Sequence, residues 1–405
     1  MPDTKLSLSP PALFMYLLVL YALAVPLNKP AEAILSAVLM LLFVCGFKRG
    51  AYSENHSAYI YAVVSYFLAD AASSLFNFSE PADALHIVRQ LPLFIGVMIL
   101  LMTDKKKIVD MAITAFVVST LLVAAAAVYQ YVFTDVFRPP SFRNAVHIGY
   151  VFNYSMALLF AAIFYAHKSI KIWSAAAFVL TAAAMMAGET RGAWVSIIAA
   201  IVVLTLCAPF VRKREVILSV LVITTALLLL PQVRARIDDA RRDIAYYSGN
   251  IDSATSLGRR FVMWKASLQM FRDHPLIGVG PRNWQKEVKA AAAHGEISND
   301  ITTFNQPHSM YLHALATKGI AGLAALLFLA CAPLYLVWKR KMLGTYYGDA
   351  LFMVALLFLL QGFTETVPSM YYPFRSYLLL VGLLLAGSRI NQGLPVTSET
   401  SRTFP

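Results

Sequence analysis

Ser36-Ala37-Val38-Leu39-Met40-Leu41-Leu42-Phe43-Val44-Cys45-Gly46-Phe47-Lys48-Arg49 is an apolar run that carries no charge until it stops on a basic pair. The same unit recurs along the chain. Other long apolar runs end on Lys105-Lys106-Lys107, on Lys168 with Lys171, on Arg212-Lys213-Arg214 and on Lys339-Arg340-Lys341. A helix that crosses about 30 Å of hydrocarbon needs roughly 20 apolar residues. The repetition therefore predicts an all-α polytopic membrane protein of about twelve transmembrane helices. They fall at 10–27, 31–47, 57–76, 84–103, 108–133, 147–167, 170–187, 191–210, 215–231, 308–337, 346–364 and 373–389. The tenth is too long for one simple span, and its first part reads as an interfacial or partly buried helix.

Each basic cluster follows an even-numbered span, so all of them fall on one side of the membrane. The positive-inside rule makes that side the cytoplasm. Both termini are then cytoplasmic. The polar tail 390–405 is expected to be disordered. The opposite face carries short turns and one connection of about 75 residues, far longer than the usual loop. This divides the chain into spans one to nine (1–231), a large outer loop (232–307), spans ten to twelve (308–389) and the tail.

Composition agrees. Of 405 residues 59% are hydrophobic and only 14% charged, whereas soluble domains carry about a quarter charged residues. The net charge of +12 does not indicate nucleic acid, because the cations lie between apolar runs and in the long loop. Cys45, Cys207 and Cys331 each lie within an apolar run at no metal-ligand spacing, which argues against a zinc site or a disulfide framework. The carboxylates Glu189, Glu365, Asp135 and Asp252 are scattered and do not form a divalent-metal pattern.

Within the loop, residues 234–247 alternate charge and end on Tyr246-Tyr247, as an interfacial helix would. Ser253 to Gly258 reads as a linker and helix cap. From Arg260 to Arg272 apolar residues recur at helical spacing. His274-Pro275-Leu276-Ile277-Gly278-Val279-Gly280 stops that helix in a turn, and a further helix is expected over 283–293.

Arginine at membrane depth is costly and usually functional. Arg191, in Gly188-Glu189-Thr190-Arg191-Gly192-Ala193-Trp194, lies at the outer end of the eighth span, where it either snorkels to the interface or binds an anion. Arg259 and Arg260 open an amphipathic helix and Arg282 follows Gly280-Pro281; each could equally be a solvated surface charge. His308 and His313 stand at the start of the tenth segment, as interfacial polar residues or as bases. On a continuous helix they would be about 140° apart. These residues come from distant segments, yet the topology puts them all on the outer face. Arginine matches phosphate oxygens and keeps its charge. Several arginines beside a histidine suit a pyrophosphate leaving group and a general base.

The order of motifs resembles a known family. His308-Ser309, nine residues and then Gly319-Ile320-Ala321-Gly322 match the O-antigen ligase pattern of His, then Asn, Ser or Gln, nine residues and Gly-x-x-Gly. Before it come a Thr-Arg-Gly at a span start, an Arg-x-x-x-Trp (Arg260, Trp264) and His-Pro-Leu-Ile-Gly-Val-Gly. The chain is similar to the O-antigen ligase and Wzy-like polymerase superfamily, coarsely over its whole length and by motif over about 190–322. Ser309 stands where many relatives carry Asn, which puts any role for a side-chain amide in doubt.

The resemblance implies a GT-C-like glycosyltransferase architecture in the inner membrane of a Gram-negative bacterium, with the active site facing the periplasm. It implies a donor glycan on undecaprenyl pyrophosphate, lipid A–core oligosaccharide as acceptor, and inverting transfer with no cofactor or metal. By position, Arg191 and Arg260 would bind the pyrophosphate, with Arg259 the alternative and Arg282 a further candidate. His308 would activate the acceptor, with His313 as fallback. Gly319 and Gly322 would form a small-residue patch for close helix approach. The rivals are a Wzy-type polymerase, a protein-O-oligosaccharyltransferase and, from another class, a transporter or flippase. A polymerase often has two long arginine-rich loops where this chain has one. A transporter would place its charges near the midplane and show internal symmetry.

Overall fold

The computed structural model describes residues 9–46, 56–134, 144–208 and 255–393, with isolated positions between. Helices make up the regular structure, with no strand among the described residues. Numbered in the order described, they are α1 (Pro10–Leu27), α2 (Lys29–Gly46), α3 (Ser57–Phe76), α4 (Pro81–Arg89), α5 (Ile95–Met102), α6 (Lys106–Phe133), α7 (Ala145–Tyr165), α8 (Lys168–Ala187), α9 (Arg191–Cys207), α10 (Ser256–Asp273), α11 (Trp284–Ala293), α12 (Met310–Lys339), α13 (Tyr346–Gln361) and α14 (Tyr371–Gly393).

Ten of the twelve expected spans each coincide with one of these helices, and an eleventh with a pair of them. The segment 215–231, the 234–247 helix and most of the tail lie outside the described residues. Nine segments among the described residues are long and apolar enough to cross a membrane; α9 and α13, at 17 and 16 residues, are shorter apolar helices. The expected fourth span is not one helix. It comprises α4, a 3₁₀ turn at Leu91–Phe94 and α5, because Pro92 lacks the N–H that a continuous α-helix would need there. At the C-terminus α14 runs to Gly393, past the predicted end at 389.

α7, α13 and α14 form the centre; Tyr150, Tyr154, Phe358 and Tyr377 are fully or almost fully buried. Outer helices show apolar faces instead: Leu41, Val44, Trp173 and Val195 are all well exposed. Apolar faces of this extent on helices of spanning length need a hydrocarbon solvent. The protein is a multi-pass membrane protein.

The expected turn 274–280 does more than end α10. It crosses α12 at the point where α12 breaks. Gly319 has φ +63 and ψ −160 inside an otherwise helical run. In an unbroken helix the amides of Ile320 and Ala321 would donate to the carbonyls of Ala316 and Thr317. Here Ile320 donates to the Pro275 carbonyl (2.8 Å) and Ala321 to the Leu276 carbonyl (3.4 Å). The vacated carbonyls of Ala316 and Thr317 accept from Val279 and Gly280, each at 2.9 Å. Two rungs of the helix ladder are thus opened and four bonds to the crossing segment replace them. A break at membrane depth is tolerated when its freed groups are satisfied in this way.

The crossing requires its glycines. A Cβ on Gly278 (φ +66) would lie 2.3 Å from the Lys318 amide nitrogen, and one on Gly319 would lie 2.3 Å from the Leu276 carbonyl carbon. Gly319 therefore admits a turn of the loop, not a neighbouring helix as the small-residue reading expected. Gly322 likewise makes room for the Lys318 side chain, whose Cβ a methyl there would meet at 2.1 Å.

That side chain is buried in an ionic cluster. Lys318 Nζ lies 2.8 Å from Asp70 Oδ1 of α3 and donates to the Tyr66 hydroxyl at 2.9 Å. Asp70 Oδ2 takes the His86 ring nitrogen of α4 at 2.8 Å. Ser73 Oγ, one turn along α3, lies 2.7 Å from both the Ile277 and Thr317 carbonyl oxygens. The loop helices seal the crossing from above, with Val262, Met263, Met270, Trp284 and Val288 forming a second apolar cluster that includes Ala316 of α12.

Two outcomes follow for the purified protein. Gly278→Ala and Gly319→Ala each lower stability by more than about 1 kcal/mol and expose 274–280 to proteolysis. Gly295→Ala, also at positive φ (+75) but with nothing within 4 Å of the added carbon, shows only the smaller backbone cost. Lys318→Met strands the Asp70 carboxylate and costs about 3–5 kcal/mol; adding Asp70→Asn recovers part of it. Thermal unfolding in detergent reads both.

Candidate functional site

The turn 362–366 after α13 is the floor on which the other parts assemble. The Gly362 carbonyl accepts the Met310 amide at 2.9 Å, which ties the start of α12 to this turn. Ser309 is the N-cap of α12, its hydroxyl accepting from the Leu312 amide at 3.5 Å. Capping accounts for the choice at this motif position, since Ser and Asn are both strong N-caps. His308 precedes the cap and is not helical; its φ is +51. The 140° separation expected for two helical histidines does not apply. A left-handed conformation in a non-glycine residue costs about 1–3 kcal/mol and persists where its surroundings over-determine it.

Those surroundings are specific. Glu365 Oε2 lies 2.8 Å from His308 Nδ1. The Trp264 indole donates to the Pro307 carbonyl at 2.9 Å. Phe304 meets the imidazole edge-on, with ring centroids 5.6 Å apart. One helical turn before Trp264, Arg260 donates to the Thr364 carbonyl at 3.0 Å and approaches Glu365 Oε1 at 3.7 Å. The Arg-x-x-x-Trp spacing puts both side chains on one face of α10. One holds the 364–365 turn and the other the peptide before the histidine.

The third side comes from the α8–α9 turn. Thr190 Oγ1 donates to the Ala145 carbonyl at the start of α7 (3.2 Å). A Cβ on Gly192 would lie 2.4 Å from Thr364 Oγ1 and 2.5 Å from the Tyr150 hydroxyl, and that hydroxyl pairs with Thr364 Oγ1 at 2.9 Å. The Thr-Arg-Gly order is thereby explained: threonine docks on α7 and glycine lets α9 meet Thr364. Arg191 stands exposed between them in the first turn of α9. Glu189, just before, also has positive φ (+49).

The structure thus brings Arg260 and His308 onto Thr364–Glu365, with Arg191 next in sequence to Gly192, which meets Thr364. Arg259 lies beside Arg260 in the first turn of α10, partly exposed. Two predicted residues go elsewhere. Arg282 pairs with Glu80 and Asp83 at the start of α4, 3.0 Å from each. His313 is buried, with Lys318, Asp70 and His86 as its electrostatic neighbours. Reasoning from sequence missed three residues of the cluster. Glu365 was noted only as an isolated carboxylate, 57 positions from His308. Tyr150, and His147 within electrostatic reach of Glu365, carry no local signal beyond polar atoms in an apolar helix.

The fold and this cluster define a class: a multi-pass helical membrane protein with a histidine, a carboxylate and arginines gathered at one end of the bundle. Residues 176–327 match the Wzy_C family model, described as O-Antigen ligase. The matched stretch contains Arg191, Arg259, Arg260, Arg282, His308 and His313. The chain is also 24% identical over 325 residues to an uncharacterized protein of Haemophilus influenzae, covering 76% of this chain and 80% of that protein.

The partition of the arginines has a measurable outcome. Arg282→Ala lowers stability by about 1 kcal/mol or less, as for a partly exposed pair. Thermal unfolding of the purified variant checks it.

Proposed function

We propose that the protein transfers an O-antigen glycan from undecaprenyl pyrophosphate to a sugar hydroxyl of lipid A–core oligosaccharide, at the periplasmic face of the inner membrane. In this reading the protein has a GT-C-like architecture, its large loop is periplasmic and its termini are cytoplasmic. The observation that carries the reading is the docking of His308, Arg260 and the start of α9 on one turn, at Thr364–Glu365.

The chemistry assigns each residue a task. The acceptor hydroxyl attacks the anomeric carbon of the donor sugar while the bond to the pyrophosphate oxygen breaks from the opposite side, which inverts the anomeric centre. His308 Nε2 takes the hydroxyl proton; its Nδ1 is already engaged. The diphosphate leaves with its electron pair and gains negative charge. Arg191 and Arg260, with Arg259 adjacent, hold that charge. Fixed cations aimed at developing charge are worth a few kcal/mol each. Arg191 gains from its place, because a helix N-terminus adds positive potential and favours an anion. No step requires a metal or nucleotide.

A polymerase, which would use a second lipid-linked glycan as acceptor, shares this donor chemistry and belongs to the same superfamily. Purified protein, lipid-linked glycan and a choice of acceptors separate the readings. Transfer to lipid A–core supports the ligase. Transfer only to a second lipid-linked glycan or a pilin-type peptide replaces it with polymerase or protein-glycosylating activity. Transport without covalent transfer removes the enzyme reading altogether. His308→Ala and Arg191→Ala each reduce transfer by about 10²-fold or more while the protein still inserts and elutes as wild type. Wild-type lipopolysaccharide ladders from either variant contradict the assignment.

A further inference from the structure

We infer that Glu365 is the positioning residue of the transfer reaction, fixing the tautomer and aim of His308 and setting Arg260 beside it. This deepens the reading above and rests on it. Glu365 lies outside the stretch matched to the family model, and nothing in its local sequence marks it.

The geometry is that of an orienting carboxylate. Glu365 Oε2 sits 2.8 Å from His308 Nδ1. An ionised carboxylate only accepts, so Nδ1 carries the proton and Nε2 keeps its lone pair for an incoming hydroxyl. The carboxylate is the sealed part of the cluster. Its side chain is 8% exposed, against 23% for His308 and 25% for Arg260. The two residues that would meet substrate are open, and the residue that would not is closed. Its other oxygen faces Arg260 at 3.7 Å, and the neighbouring peptide carbonyl, that of Thr364, takes Arg260 at 3.0 Å. One turn of chain therefore sets the spacing between the base and a leaving-group cation. Among the described residues, His147 and Tyr150 of α7 are further titratable groups in reach of Glu365.

A counter-ion for Arg260 and a plain structural contact are the competing roles, and they predict different kinetics. A carboxylate on Nδ1 acts through the base, so its loss appears in kcat and disappears once the base is gone. The test uses full-length protein in detergent with lipid-linked glycan and lipid A–core. In Glu365→Gln the expected result is a kcat lower by about 10²-fold and a donor KM within about threefold. Glu365→Asp, which keeps a carboxylate for Nδ1, recovers part of the kcat. Glu365→Gln should add little loss to His308→Ala. A raised donor KM with an unchanged kcat overturns the inference in favour of an Arg260 counter-ion. Lost thermal stability with an unchanged kcat, or a full further loss on top of His308→Ala, overturns it in favour of a structural contact. If His308→Ala itself keeps full activity, the histidine-base reading fails. If His308→Ala is inactive and Glu365→Gln behaves as wild type, only the present inference fails.

Discussion

The passage of 275–280 through the opened backbone of α12 is the constraint on which the rest depends. It converts one long apolar helix into two pieces joined at Gly319, with the Ile320 and Ala321 amides and the Ala316 and Thr317 carbonyls re-paired to the crossing segment. It also fastens the loop helices α10 and α11 to the bundle at a defined height. Were the segment merely resting on α12, Arg260 and Trp264 would have no fixed relation to His308. Because four backbone bonds hold it, α10 is anchored at its far end by the crossing and at its near end by the 364 and 307 carbonyls.

Burial of Lys318 fits the same logic. A charge in an apolar interior is tolerated only when paired and hydrogen-bonded, and Lys318 has Asp70, Tyr66 and the Tyr66 ring face. Those partners lie on α3, and the adjacent Ser73 and Asn77 bind carbonyls of the crossing segment. Lysine therefore ties α12 to α3 at the point where the backbone of α12 cannot hold itself. The cost of desolvating the ion pair is offset by bonds that only the broken helix makes available.

Span positions were legible in the sequence because they depend on one-dimensional hydropathy, and eleven segments coincide with helices. α10, with its Thr255 cap accepting from Gly258, and α11 were legible from periodicity. Three things were not. The split of the fourth span turns on Pro92, whose effect inside an apolar run is ambiguous without the neighbouring helices. The break at Gly319 lies in a run that reads as helix from either side; only the backbone of a distant loop explains it. Glu365 sits in a polar turn that offers no period and no spacing to His308, because their contact is made by folding. Asp70 and Lys318 did carry a usable signal, as lone charges in apolar segments, but the signal names no partner.

Two ionic clusters at one end of the bundle share a composition and differ in exposure. Asp70, Lys318 and His86 form one, with lysine and aspartate side chains 6% and 3% exposed. Glu365, Arg260 and His308 form the other, with the cation and the imidazole each about a quarter exposed. Composition cannot distinguish them, and only the motif match ranked His308 ahead of His313 in the sequence. Accessibility does distinguish them. A sealed pair with its valences filled has nothing left to offer a ligand and serves to hold helices together. An open pair braced by a sealed carboxylate leaves part of its surface to a ligand. His313 belongs with the first cluster and His308 with the second. Arg282 is set apart by its partners and not by accessibility: it is 35% exposed and faces two carboxylates, Glu80 and Asp83, whereas Arg260 shares Glu365 with a histidine.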